Sequence, residues 1–389
     1  MSELLNGRWA ETKEALLEGL QGTKKSVMGV TLENTRKYLM ESPTAGATSA
    51  GNVATLNRVI LPVIRRVMPT VIANELVGVQ PLTGPVGQIH TLRVRYSDTS
   101  SAAGVVAGEE ALSPFKIAEA YSGNTATGKA ASTASLEGQA GNRMSIQILK
   151  QTVEAKTRKL SARWTFEAAQ DAQAQQGIDV EAEIMAALAQ EITAEIDQEI
   201  LASLSSLAGA ATQTYDQAQV SGTATFVGDE HAALAIQINR VSNLIAQRTR
   251  RGAGNWAVVS PFALTILQSA TTSAFARTTE GTFEAPTNTK FVGTLNNALK
   301  VYVNSYANDS TPILVGYKGG SESDAAAFYC PYIPLMSSGV VLDPSTFEPT
   351  VSFMTRYGYV ELSNTASSLG NAADYLGKVA ITDGNVKFS

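Results

Sequence analysis

The stretch TFEAAQDAQAQQGIDVEAEIMAALAQEITAEIDQEILASLSSL, Thr165–Leu207, decides the reading of the fold. Ile184, Leu188, Ile192, Ile196 and Ile200 recur every fourth residue, which lays one apolar stripe along a helix. Gly177 interrupts the stretch, and Asp179 is placed to cap the helix that runs on from it. Between Thr165 and Ile200 stand nine acids (Glu167, Asp171, Asp179, Glu181, Glu183, Glu191, Glu195, Asp197 and Glu199) and no base. Such a run is either a solvated helix face or a negative spine turned towards basic segments of a neighbouring subunit.

The basic residues stand just upstream: Lys150, Lys156, Arg158, Lys159 and Arg163. Further back, Ile89–Tyr96 alternates Leu92, Val94 and Tyr96 with Arg93 and Arg95, a strand pattern, and Ser145–Leu149 is a second strand. They bound Ser97–Asn142, which is rich in Gly, Ala, Ser and Thr and poor in bulky apolar side chains. This predicts an extended β-loop that cannot fill a core of its own and leans on something else.

Residues 1–41 read as mostly helical, with Leu5, Trp9, Leu16, Leu17 and Leu20 on one broad face and six basic against six acidic residues. SPTAGATSAGN follows as a flexible arm or boundary. Val53–Val79 is apolar but broken by Pro62 and Pro69, so short pieces are expected there. Downstream, Asp229–Arg250 is an amphipathic helix closed by Gly252 and Gly254. Trp256–Ser260 is a strand, and Pro261 opens a helix to Gln268. Ala298–Val303, Ile313–Tyr317, Ala325–Cys330 and Thr350–Leu362 read as strands. Helices and strands mix without a regular βα repeat, which makes the fold class α+β.

Composition narrows the function. The 389 residues suffice for two or three subdomains, and at 17% charged residues the surface is sparsely charged. A net charge of −5 does not point to nucleic acid, although Arg58–Arg66, Lys150–Arg163 and Arg248–Arg251 could touch phosphates. Cys330 is the only cysteine, so no internal disulfide forms. No apolar run long enough to span a membrane occurs, and the N-terminus does not read as a signal peptide. Asn308-Asp309-Ser310 fits a glycosylation sequon that carries no meaning without secretion.

No catalytic constellation emerges. Gly123-Asn124-Thr125-Ala126-Thr127-Gly128-Lys129-Ala130 imitates a phosphate-binding loop, but Ala130 has no oxygen for magnesium where Ser or Thr is needed. His90, His231 and Cys330 lack metal-ligand spacing, and the adjacent Glu109-Glu110 carboxylates diverge. No cofactor and no metal are expected.

Four blocks then resemble the major capsid proteins of T-even-like tailed bacteriophages. The first lies in Asn57–Tyr96, best in Glu75-Leu76-Val77-Gly78-Val79-Gln80-Pro81 with Gly84-Pro85. The second is Glu154-Ala155-Lys156-Thr157-Arg158-Lys159-Leu160 with Trp164-Thr165, continued by Gly177-Ile178-Asp179 and Glu195-Ile196. Phe328-Tyr329-Cys330-Pro331-Tyr332-Ile333-Pro334-Leu335 and Phe353-Met354-Thr355-Arg356-Tyr357-Gly358 are the closing blocks.

The resemblance implies the HK97-like fold. Its parts would be a leader at 1–41, an N-arm at 42–84 and an E-loop region at 85–163. A P-domain with the spine helix would fill 164–225, an A-domain 226–340, and a return to the P-domain 341–389. It implies hexamers of the chain itself, with pentameric vertices made by this protein or a paralogue. Further implied partners are vertex, portal, scaffold and prohead protease proteins, with packaged DNA touching the inner face non-specifically; the chain would be assembled in the bacterial host cytoplasm and reside in the virion capsid. Trimming in that family follows a glutamate with Leu or Ile two residues before it. Leu39-Met40-Glu41 followed by Ser42 fits best, though Leu16-Leu17-Glu18 and Ile117-Ala118-Glu119 fit as well. The expected inter-subunit charges are Glu181, Glu183, Glu191 and Glu195 against Lys156, Arg158, Lys159 and Arg163. The alternatives are a vertex or closed-compartment protein of the same fold and, from another class, a phosphate-binding enzyme using Gly128 and Lys129.

Overall fold

The computed structural model describes residues 9, 13, 14, 17, 22–41, 72–100, 104–109, 111, 121–123, 129–138, 141–176, 179–220, 226–270, 275–277, 290–296, 298–321, 324–363 and 371–386. The chain divides into two compact units. The first comprises Met1–Gly87, Val153–Leu201 and Phe328–Val360; the second comprises Gln88–Thr152, Ala202–Ala327 and Glu361–Ser389.

In chain order the strands begin with β1 Gly78–Val79, β2 Val86–Tyr96, β3 Met144–Glu154 and β4 Lys156–Arg163. Next come β5 Gln213–Tyr215, β6 Trp256–Val259, β7 Phe275–Arg277, β8 Lys290–Leu295 and β9 Leu299–Val303. The last are β10 Ile313–Gly316, β11 Ala327–Ser337, β12 Val341–Leu342, β13 Pro349–Glu361 and β14 Leu376–Ile381.

β13 organises the sheet of the first unit. It neighbours β11, and it pairs antiparallel with β4 from Thr350↔Arg163 to Tyr357↔Lys156. Val351, Phe353, Thr355 and Tyr357 are buried at alternate positions, as a strand with one face on a core requires. β11 is joined in parallel by β1, through Gly78↔Phe328 and Val79↔Tyr329. The sequence predicts this strand only to Cys330, but β11 runs on to Ser337. The strand continues, because the Pro331 carbonyl still accepts the Leu82 N–H at 2.9 Å and the Ile333 carbonyl accepts the Thr355 hydroxyl at 3.1 Å.

The acidic stretch is two helices, Phe166–Gln176 and Val180–Leu207. Asp179 begins the second by accepting the Glu181 and Ala182 N–H groups at 3.1 and 3.4 Å. Leu188, Ile192, Ile196 and Ile200 are buried on one side, as their spacing predicts, and Ile184 is half-buried. A helix over Gly22–Glu41 also belongs to this unit and buries Val27, Met28, Thr31, Leu32 and Asn34. The arm expected at 42–52 and the apolar pieces at 53–71 lie outside the described residues.

The second unit holds a seven-stranded mixed sheet in the order β5-β14-β10-β6-β9-β8-β7. Helices Val227–Thr249 and Pro261–Ser269 contribute Leu234, Ile238, Val241, Ile245, Ile266 and Leu267 to its core, against Val301, Val315 and Val379 from the strands. Ser260 caps the shorter helix by accepting the Ala263 N–H at 3.2 Å, ahead of Pro261. The longer helix does not wait for glycine to stop. Arg250 takes the left-handed conformation with φ 48°, and its N–H bonds the Ala246 carbonyl. β14, in the segment 341–389 expected to hold the return to the P-domain and the C-terminus, pairs with β10 and β5 and completes this sheet.

β2 and β3 form a separate two-stranded ribbon. The excursion between them was expected to lack a core, and it has a small one. Tyr96, Val105, Ala111 and Tyr121 are buried together, with the two tyrosine rings 4.6 Å apart. Polar bonds tie the same place. Arg143 donates to both carboxylate oxygens of Asp98, and the Tyr121 hydroxyl donates to the Arg143 carbonyl at 2.6 Å. Two aromatic rings supply the apolar area that the small residues lack.

Candidate subunit-contact surfaces

The charged residues singled out from the sequence divide into two groups. Arg158, on β4, sends Nη1 to Glu195 at 2.6 Å and Nη2 to Glu199 at 2.5 Å. Its Nε donates to the Tyr357 hydroxyl at 2.6 Å, and Tyr357 in turn donates to Glu199. Burial opposes the charge on Arg158, but the bonds to Glu199 and Tyr357 outweigh it and drive its pKa up. Burial likewise raises Glu199, and the hydrogen bonds from Arg158 and Tyr357 reverse that and leave it below the usual carboxylate range. Arg158 and Glu195 therefore meet each other inside one chain. Arg163 faces Glu348 of its own chain at 3.6 Å.

The second group is exposed or half-buried: Glu181, Glu183, Glu191, Lys156 and Lys159. Among the described residues, none of these five makes an ion pair within the chain.

Asp197 departs from the expected solvated face. It is 1% exposed, and its Oδ1 accepts the Ile72 N–H at 2.9 Å while Oδ2 has no hydrogen-bond partner among the described residues. Burial pushes its pKa up to about 7, with the Ile72 N–H acting in the opposite direction. A signal for this was present, since Thr193, Asp197 and Leu201 recur at the spacing of a second buried row.

The ribbon carries the most exposed apolar row. Met144, Ile146 and Ile148 alternate along β3, so they share one face, and they are 52, 67 and 61% exposed. This row was not singled out in the sequence, because alternation alone does not tell an inward face from an outward one.

The chemistry-bearing residues are scattered. Cys330 is buried, which pushes its thiol up to about 12 and leaves it unreactive. His231 is buried with Nδ1 2.5 Å from Ser269 Oγ. Ser269 Oγ also lies 2.9 Å from the Ile266 carbonyl, its own helix's backbone. His90 is exposed on β2. No group of His, Cys, Asp and Glu among the described residues could hold a metal ion. Residues 124–128 of the phosphate-loop imitation lie outside the described residues. Glu41 ends its helix, but the side chains of Leu39 and Glu41 and all of Ser42 lie outside the description. No described helix is long and apolar enough to cross a membrane.

Comparison with known proteins defines the class first: the relatives are structural proteins of bacteriophage heads. The major capsid protein of Vibrio phage KVP40 is 30% identical, covering 85% of this chain and 81% of its own. That of Enterobacteria phage T4 is also 30% identical, covering 81% of this chain and 76% of its own. Among solved structures, the capsid of Myoviridae phage XM1 aligns with 87% of this chain and 99% of its own, at 11% identity and a TM-score of 0.46. A family model described as major capsid protein Gp23 matches residues 53–136 and 115–381. The chain belongs to the Gp23 family of major capsid proteins. It is thereby a component of the phage head shell and of the virion, and its architecture is α+β.

Proposed function

We propose that the chain is a non-catalytic shell subunit whose β2–β3 ribbon is the arm that grips the next copy. The observation that carries this is the outward row of Met144, Ile146 and Ile148. A two-stranded ribbon is marginal by itself, and a contiguous apolar row in water marks a protein contact. Burying each isoleucine against a partner contributes about 1.5–3 kcal/mol. Received on a different surface of the next copy, the ribbon would make a head-to-tail contact of the kind that can close into rings, here hexamers, with this chain or a paralogue at pentameric vertices.

Glu181, Glu183 and Glu191 on one copy, against Lys156 and Lys159 on another, set register and exclude wrong partners. The assembled shell encloses double-stranded DNA, touched non-specifically on its inner face. Scaffold, portal and vertex proteins and a prohead protease cutting between Glu41 and Ser42 complete the assembly. None of these roles asks catalysis of the chain.

The test is the double variant Ile146→Asp with Ile148→Asp. It is expected to stay folded by circular dichroism and to form no closed particles by electron microscopy at concentrations where the unaltered chain assembles. Shells of normal size and yield from the variant would remove the arm from this account.

A further inference from the structure

We propose that Asp98 and Tyr121 are positioning residues: by gripping Arg143 they fix the register of β3 against β2, and so decide which face of the ribbon carries Met144, Ile146 and Ile148. The use made of that row rests on the function proposed above; the register itself does not.

Burial does not set this register. Residues 144–148 are exposed on both faces of β3, so no core selects one face of the strand. A slip of one residue turns every side chain over. It would put Ser145, Gln147 and Leu149 where the apolar row now stands. A strand with so little patterning slips unless something else holds its main chain.

Both ends of the ribbon are held. At one end Val153 is 2% exposed, and the Ala155 N–H bonds the Pro85 carbonyl at 2.9 Å. At the other, the grip falls on Arg143, the residue before Met144. The Asp98 Oδ2 accepts the Arg143 backbone N–H at 2.8 Å and its Nε at 3.4 Å, while Oδ1 accepts Nη2 at 3.2 Å. The Arg143 carbonyl accepts the Ser97 N–H at 2.9 Å and the Tyr121 hydroxyl at 2.6 Å. That hydroxyl also accepts the Asp98 N–H at 3.3 Å, so one oxygen joins the end of β2 to the start of β3. Tyr121 is itself fixed. Its ring lies 4.6 Å from that of Tyr96, and its carbonyl accepts Asn142 Nδ2 at 2.7 Å.

Magnitudes decide which of these bonds matter. The Arg143 side chain is 75% exposed, and an ion pair so wet contributes little. The bonds to its N–H and carbonyl act on the main chain, and main-chain position is what register means. Asp98 and Tyr121 therefore carry the grip, and the charge of Arg143 is secondary.

The experiment is amide-resolved hydrogen exchange on the full-length subunit before assembly. Along a strand of an antiparallel pair, N–H groups point alternately at the partner and away from it. Slow and fast amides should therefore alternate along residues 144–150 of the unaltered chain. The variant combines Asp98→Ala with Tyr121→Phe, which keeps the ring. Its slow amides are expected to exchange about tenfold faster, while the formerly fast ones slow down as slipped pairings fill. The Ala155 amide should be unchanged and Cys330 should stay unreactive, which shows that the body remains folded. Arg143→Lys should keep the alternation, because its main chain is still gripped. An unchanged order in the double variant overturns the proposal. So does a gain in rate at the slow amides with no slowing of the others, since that is fraying without slip. Normal shells from the Ile146→Asp, Ile148→Asp chain would remove the arm and leave this exchange result standing.

Discussion

The Arg158 guanidinium on β4 and the Glu199 carboxylate on the long helix meet at 2.5 Å, and both belong to one chain. Tyr357, on β13, bonds to each. One cation therefore ties an edge of the sheet, its central strand and the helix together. What looks in sequence like charge reserved for a neighbour is in part internal framework.

Arg158→Ala should lower the stability of the unassembled subunit by about 1–2 kcal/mol, because a shared network loses its centre. Glu195→Ala alone should cost less than about 1 kcal/mol, since that carboxylate is well exposed to water. Arg158→Lys should recover little, because an ammonium cannot address three acceptors from a fixed plane. Denaturant midpoints of the three variants decide this; an unchanged midpoint for Arg158→Ala would contradict it.

Asp197 gives the fold a pH dependence of defined sign. Its folded pKa stands at about 7 against an ordinary 3.8, so the folded state holds this proton more tightly than the unfolded state does. The resulting stability is fully present below the ordinary value and fades as pH rises, until it is gone above about 7. Between those limits the slope from this group approaches about 1.4 kcal/mol per pH unit. Asp197→Asn keeps an acceptor for the Ile72 N–H and cannot ionise, so the difference in unfolding free energy between the two proteins should change steadily from pH 5 to about 7 and level off above it. A constant difference across that range would refute the assignment.

Cys330 should resist aromatic disulfide reagents in the folded protein and react at once in denaturant. Burial both blocks access and suppresses the thiolate. Rapid stoichiometric labelling at pH 8 without denaturant would show that β11 opens far more readily than its buried position allows.

Gly316→Ala should destabilise the second unit by about 1–3 kcal/mol through overpacking. A methyl group at that position would stand 2.1 Å from the Trp256 ring on the neighbouring strand. Thermal unfolding of the variant, followed by tryptophan fluorescence, reads this directly; a midpoint equal to that of the unaltered chain would mean that the ring yields without cost.

Features that rest on periodicity could be read before the structure. The isoleucine row of Val180–Leu207, the Asp179 cap and the Pro261 helix start are local patterns, and each lies where its pattern put it. Features that depend on distant partners could not be read. Asn34 finds its acceptors 48 and 298 residues away, and nothing beside it announces them. β14 is a short apolar segment whose strand character comes from the β10 and β5 neighbours that accept it. The charges around Arg158 showed the right complementarity, but sequence does not say whether a cation meets its own helix or another copy's. The ribbon core was missed because Tyr96 and Tyr121 lie among many small residues, and only their meeting makes a core.

The parallel pairing of Gly78 and Val79 with Phe328 and Tyr329 has a consequence for biosynthesis. The early strand can find its partner only after nearly the whole chain has left the ribosome. Most of the second unit's sheet lies within the sequence between them and can form meanwhile, whereas the first unit must close around a very long loop. Contacts of such sequence separation slow folding. Until β11 arrives, the nascent subunit presents an unfinished sheet edge, and this places the chain's greatest exposure to misassembly before its release.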